Sequence, residues 1–244
     1  MLRPLAIAAM APVLLAQGLV VRRRALRLPE AEGPREGRAG RGPRLGLLVL
    51  GDSAAAGVGA PTQDDALVGQ LCNRLARRHR VDWRLVAQSG HTAADALAAL
   101  EAQDGFRIDA AVTSFGVNDV VAHTPVRRFR RVVGAVVDGL RRRGASGIVL
   151  SGVPPMGRFP LLPQPLRGVL GARATELDAV LADVARERGA VHLPMRFAAG
   201  LGPEHMAPDG FHPGPAIYRA WADAAHDALV GSDAGSGLAR GGPR

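Results

Sequence analysis

From Leu45 onward, short apolar runs alternate with longer amphipathic stretches, and this alternation limits the fold more tightly than any other feature of the chain. The runs are Leu45–Gly51, Trp83–Gln88, Ala110–Phe115, Gly147–Val153 and Ala190–Leu193. Between them, "DALVGQLCNRLARRHR" places Leu67, Leu71 and Leu75 at four-residue steps, and "FRRVVGAVVDGLRRRG" places Val132, Val133, Val136, Val137 and Leu140 on one stripe. Both patterns predict helices with an apolar inner face and a basic outer one. Strands that are each followed by a helix must be joined by right-handed crossovers, which makes them parallel and covers both faces of the sheet. The expected architecture is a three-layer α/β/α sandwich around a five-stranded parallel, flavodoxin-like sheet. Ligands of such sheets gather at the carboxyl ends of the strands.

The 244 residues suffice for one domain with a buried core plus tails. We expect a hydrophobic N-terminal segment over 1–24, a flexible linker over 25–44, the main domain over 45–231 and a disordered tail over 232–244. Pro4 to Val21 is almost continuously apolar and runs directly into Arg22-Arg23-Arg24. A signal peptide should end in a small-x-small site, and "LLAQG" puts Leu14 where a small residue belongs. An uncleaved membrane anchor is therefore expected, with export through a signal peptide as the alternative. The Arg triplet on its C-terminal flank favours a cytoplasmic body. Glu30 to Arg44, "EAEGPREGRAGRGPR", has the Gly, Pro and charge content of a linker.

The net charge of +9 comes wholly from Arg, since the chain has no Lys. Residues 1–44 hold nine Arg against three Glu, and residues 45–231 carry only +2. The body thus lacks the basic footprint of a nucleic-acid binder, and no nucleic-acid partner is expected. Cys72 is the single cysteine, which rules out an internal disulfide and any Cys-based metal spacing. It reads as a small buried residue on a helix.

Four segments at predicted strand ends carry polar groups. "GDSAAAGVGA" follows the first strand, so Ser53 is either a nucleophile presented at the sheet edge or a hydroxyl in a turn, with small residues around it that would let a substrate approach. Gly-x-Ser-x-Gly is broken by Ala55, and the absence of Lys excludes a phosphate-binding Gly-x-x-x-x-Gly-Lys loop. "AQSGHT" and "SFGVND" end the second and third strands. There the N–H of Gly90 and the side-chain amide of Asn118 would join the N–H of Ser53 as donors to a developing oxyanion. Asn118-Asp119 is equally well read as a helix cap or turn. In "APDGFHPGP", Asp209 and His212 lie three apart where prolines and glycines forbid a regular helix, so both side chains can turn inward from one loop. Asp209 would then hold the imidazole and His212 would serve as base. Asp223 and His226 repeat the spacing inside an Ala-rich helical pattern and read as a solvated face.

In this order, "GDS" at Ser53, "SGHT" at Gly90, "GVND" at Gly116, Asn118 and Asp119, and "DGFHP" at Asp209 and His212 resemble the blocks of the SGNH hydrolases, or GDSL-type esterases and lipases. The likeness spans Leu45 to Leu229. It implies a serine esterase that forms an acyl-enzyme on Ser53, with His212 as general base and Asp209 orienting it. The implied oxyanion hole consists of Ser53, Gly90 and Asn118, with no metal or organic cofactor. Two departures stand out: Ala54 replaces the leucine of the family name, and His91 stands where an acidic residue often follows. Asp52 is expected to be a local structural ligand rather than the triad acid.

After the fourth strand, "PPMGRFPLLPQPLRGVLG" is either a rigid connection packed on the core or a substrate wall. In the second reading Met156, Phe159, Leu161 and Leu162 would line the acyl group and Arg158 would meet an anionic head group. The expected substrates are carboxylic esters, among them lysophospholipids or thioesters. The competing readings are a carbohydrate O-acetyl esterase and a catalytically silent, membrane-tethered binding domain.

Overall fold

A computed structural model describes residues 10–195 and 202–231. Met1 to Ala9 of the N-terminal segment, and the expected tail over 232–244, lie outside them. The elements in chain order are α1 (Ala11–Arg24), β1 (Glu36–Ala39), β2 (Arg44–Gly51), α2 (Leu67–Leu75), β3 (Arg80–Ala87), α3 (Ala93–Glu101), β4 (Ala110–Ser114) and α4 (Val117–Val121). They continue with α5 (Val126–Arg142), β5 (Gly147–Ser151), α6 (Leu166–Glu187), β6 (Val191–Leu193) and α7 (Pro215–Gly231). The sheet order is β1-β3-β2-β4-β5-β6, and all neighbours from β3 to β6 pair in parallel. The five parallel strands are the expected ones, in the 2-1-3-4-5 order of flavodoxin-like sheets.

Strand alternation divides the core in two. Leu48, Leu50, Ala111, Ile148 and Leu150 face α3, α5 and α6, while Leu45, Leu47, Val49, Val112 and Val149 face α2 and α7. The predicted valine stripe of α5 is buried at Val133, Val136, Val137 and Leu140. Cys72 is buried on α2, and desolvation pushes its thiol up to about 11.

The sixth strand corrects the linker expectation. Glu36–Ala39 pairs antiparallel with β3, setting Glu36 opposite Arg84 and Arg38 opposite Asp82. Arg38 and Arg44 both reach the Asp82 carboxylate, at 2.6 and 2.8 Å. Opposite charges facing each other across an edge stabilise the pairing. Gly37 lies against the Trp83 ring, and a Cβ there would come within 3.0 Å of it, so the ring would have to give way slightly. Further back, Glu30 accepts the N–H of Ser89 at 2.7 Å and pairs with Arg35 at 2.9 Å. A charged, glycine-rich composition suits a solvated edge strand as well as a linker, and here long-range partners decide between them.

Helix α1 is also placed against the body. Leu14, Gln17, Gly18 and Val21 form its inner, partly buried stripe, and Val21 packs on the α6 side of the core. No helix among the described residues is long and apolar enough to cross a membrane.

Candidate active site

Strand β2 ends at Gly51, and the chain turns at once: the N–H of Ala56 bonds to Asp52 O at 2.9 Å and that of Val58 to Ser53 O at 3.0 Å. The turn leaves Ser53 half-exposed at the carboxyl edge of the sheet while Ala55, Ala56 and Val58 go into the core. The small residues after Ser53 therefore serve packing more than substrate access, contrary to the expectation. Tyr218 on α7 clamps this turn from below. Its fully buried hydroxyl lies 3.0 Å from Ala54 O and 2.8 Å from Val58 O.

The loop between residues 205 and 214 brings in the other two polar groups. Met206 and Pro213 form an antiparallel bridge, and the N–H of Ala207 bonds to His212 O at 2.9 Å, so the loop closes on itself. Gly59 lets the loop approach the serine turn: a Cβ there would sit 2.2 Å from Pro213 O. Within the loop, one oxygen of Asp209 accepts the N–H groups of Phe211 and His212, both at 3.0 Å. The other meets His212 Nδ1 at 2.6 Å, and His212 Nε2 lies 2.9 Å from Ser53 Oγ. Burial by itself would raise the Asp209 carboxyl. The hydrogen bonds from the imidazole and the two backbone N–H groups outweigh it and hold the carboxyl below its usual value. The result is an ionised acid, an imidazole fixed through Nδ1, and a hydroxyl aimed at Nε2.

The glycine loop after β3 is fastened by two adjacent residues of α4. Asn118 Nδ2 donates to His91 O at 2.9 Å, and the Asp119 carboxylate accepts the N–H of Ala93 at 2.9 Å. The cap reading of Asn118-Asp119 thus holds in a long-range form: Asp119 caps α3, an element other than its own. One amide hydrogen of Asn118 remains for a substrate. Gly90 has φ +89°, open space faces its Cβ position, and neither its N–H nor that of Ser53 has a protein acceptor among the described residues.

Asp52 lies beside Ser53 but points away from His212. It accepts the N–H of Ala54 at 3.1 Å and the hydroxyl of Ser114 at 3.2 Å, tying the serine turn to β4. Its burial is complete enough to push the carboxyl up to about 7. The native state thus holds a proton on Asp52 that the unfolded chain has already lost above 3.8, and stability from this residue falls as pH rises from about 4 to about 7. Asp52→Asn should abolish that slope. Denaturant midpoints at pH 5 and pH 8 should differ less in the variant than in the parent, and equal differences would contradict the assignment.

The substrate-wall residues do not gather as one surface. Met156 is fully buried, and Phe159 and Leu162 are 7% and 4% exposed, all within the core on the α5 and α6 side. Phe159 stacks edge-on against Phe211 at 5.1 Å, and the N–H of Leu161 bonds to Gly210 O at 3.3 Å. Met156, Phe159 and Leu162 therefore brace the catalytic loop from behind. Only Leu161 and Arg158 reach the surface. Asp223 pairs with Arg74 across to α2, on the solvated face that was expected. One pair was missed: His192 Nε2 lies 2.9 Å from Asp178, which also accepts the N–H of Val153 at 3.0 Å. No sequence spacing signals it, because α6 and β6 meet only in the folded sheet.

Known proteins resemble the chain in sequence and in fold. Residues 49–220, well over half of the chain, match the model of the GDSL-like lipase/acylhydrolase family. The chain belongs to that family. The fold of this GDSL-like chain is also found among solved structures. A GDSL-like esterase of Mycobacterium tuberculosis, Rv1075c, is 28% identical over 201 residues, covering 75% of this chain and 62% of the relative. The GDSL-like chain thus spans less than two thirds of that protein's length. Among solved structures, TesA superposes with a TM-score of 0.61 at 23% identity, covering 75% of this chain and 97% of its own. The lipase/acylhydrolase from Enterococcus faecalis gives 0.60 at 20%, covering 77% and 96%.

Proposed function

We propose that this GDSL-like hydrolase cleaves carboxylic esters through an acyl-enzyme on Ser53 and that it prefers short acyl groups. The unbroken line from Ser53 Oγ through His212 to Asp209, at 2.9 and 2.6 Å, carries the mechanism. Ser53 Oγ attacks the carbonyl carbon and its proton passes to Nε2 of His212. The charge gathers on the carbonyl oxygen, facing the N–H groups of Ser53 and Gly90 and the free amide hydrogen of Asn118. As the tetrahedral species collapses, the ester C–O bond breaks and the departing alcohol takes the proton from Nε2. Water then adds to the acyl carbon, gives a proton to His212 and releases the acid, and the proton returns to Ser53. Asp209 stays ionised throughout and stabilises the imidazolium.

The preference for short acyl groups rests on the wall residues. With Met156, Phe159 and Leu162 closed into the core, the Pro-rich segment offers beside the loop only Leu161 and the ring of Pro160, a short apolar surface. That favours the acetyl-esterase reading over the lysophospholipid one. A binding domain without activity would have no need of the hydroxyl-to-imidazole contact. Nitrophenyl esters from acetyl to palmitoyl test the proposal. Turnover per KM should peak at acetyl to butyryl and fall at least ~10-fold by octanoyl, since the buried Met156, Phe159 and Leu162 give added methylenes no surface to lie on while a longer chain costs more to order. A profile rising toward palmitoyl would restore the lipid reading.

A further inference from the structure

From Ala11 to Val21, helix α1 is apolar except for Gln17, but the body covers only one side of it. Its outward face carries Val13, Leu15, Leu19 and Val20, at 50, 68, 56 and 47% exposure, on a single element of 14 residues. Apolar side chains grouped on one exposed face call for a second cover. Arg22, Arg23 and Arg24 follow on the last turn, all exposed and without an ion pair among the described residues. Leu26, 54% exposed, and Arg27 extend the same pairing of apolar and cationic groups.

Two features select the cover. A second copy of the chain, packed helix against helix, would cover the apolar side chains and leave the guanidinium groups without a counter-charge, since α1 contains no acidic residue. The segment 232–244 of the same chain contains only one leucine and no other large apolar residue, too little to cover four side chains. An anionic bilayer answers both needs at once, taking the apolar side chains at the acyl boundary and the guanidinium groups among the phosphates. We propose that α1 is an interfacial docking helix that lies along the surface of an anionic lipid bilayer.

Lying along the surface, rather than spanning, follows from how α1 is held. Gln17 donates to Gln164 O at 2.6 Å and accepts the N–H of Leu166 at 3.1 Å, so its amide seals the start of α6. A helix fixed side-on to a polar body through Gln17 and Val21 cannot be ringed by lipid at the same depth. The grip also has a direction. Gln164 lies three residues beyond Leu161, which bonds to Gly210 in the Asp209–His212 loop, and this stretch runs along the carboxyl edge of the sheet. Helix α1 is thus linked through this segment to the catalytic loop.

Co-sedimentation with vesicles tests the inference independently of catalysis, using the full chain and its Ser53→Ala variant. Both should bind vesicles of equal parts phosphatidylcholine and phosphatidylglycerol, and bind pure phosphatidylcholine far more weakly. Leu15→Glu with Leu19→Glu should cut binding at least ~10-fold. Arg22→Gln, Arg23→Gln and Arg24→Gln together should cut it on the order of 100-fold at low salt. Both sets should keep parental turnover of a soluble acetyl ester, which shows that they fold. Vesicle binding unchanged in either set would overturn the proposal. So would resistance of the bound chain to alkaline carbonate, which marks a spanning segment, or a dimer in sedimentation velocity that Leu15→Glu with Leu19→Glu dissolves.

Discussion

Replacing Ser53 or His212 by alanine should lower kcat for an acetyl ester at least ~10³-fold, and the double variant should be no worse than either single one. The two side chains form one device: the hydroxyl is a weak nucleophile until Nε2, 2.9 Å away, takes its proton, and the imidazole has nothing to accept once the hydroxyl is gone. The fold should survive both changes. Ser53 is only half-buried, and the turn that carries it is held by Tyr218 and Asp52 rather than by its own hydroxyl. A fluorophosphonate should label the parent at one site and leave Ser53→Ala unlabelled. Turnover within tenfold of the parent in Ser53→Ala would rule out the acyl-enzyme.

Asp209→Asn should cost nearly as much, about 10³- to 10⁴-fold in kcat, with a smaller change in KM. The reason is tautomeric. Asp209 accepts the hydrogen bond from His212 Nδ1–H at 2.6 Å, which leaves Nε2 bare to accept from Ser53. An asparagine keeps its oxygen on the N–H groups of Phe211 and His212 and turns its amide toward Nδ1. The ring proton then moves to Nε2, and His212 can no longer act as base. Labelling of Ser53 should slow in proportion, while the urea midpoint at pH 7 drops only modestly. Full activity in Asp209→Asn would show that another group orients the ring. The depressed carboxyl of Asp209 also sets an acid limit: its stabilising bonds are complete above 3.8 and are lost as pH falls below that value.

Much of this site could be read before any coordinates, because each block sits where a strand ends and the parallel order of the strands puts those ends on one edge. Ser53, Gly90, Asn118 and the Asp209–His212 loop are local signals multiplied by topology. What escaped reading depends on partners distant in sequence. Glu36–Ala39 has the composition of a linker and becomes a strand because Arg84 and Asp82 of β3 stand opposite its charges. Met156, Phe159 and Leu162 have the composition of a ligand wall. Their burial is fixed by packing against Phe211 and α6, which no periodicity in a proline-rich segment reveals. The small residues after Ser53 pose the same ambiguity. Gly57 is small because a Cβ there would fall 2.7 Å from that of Ala31, a neighbour invisible from the motif.

Tyr218 has a consequence for when the enzyme becomes active. The serine turn is emitted early in synthesis, yet it is held by a hydroxyl 160 residues later, and its base lies 159 residues away in the same late segment. Neither half of the catalytic pair is in place until the last helix closes onto the sheet. On the proposed mechanism, a nascent chain or one clipped ahead of α7 therefore lacks the arrangement that ester hydrolysis needs. By the same mechanism, hydrolysis becomes a report that the whole domain has folded.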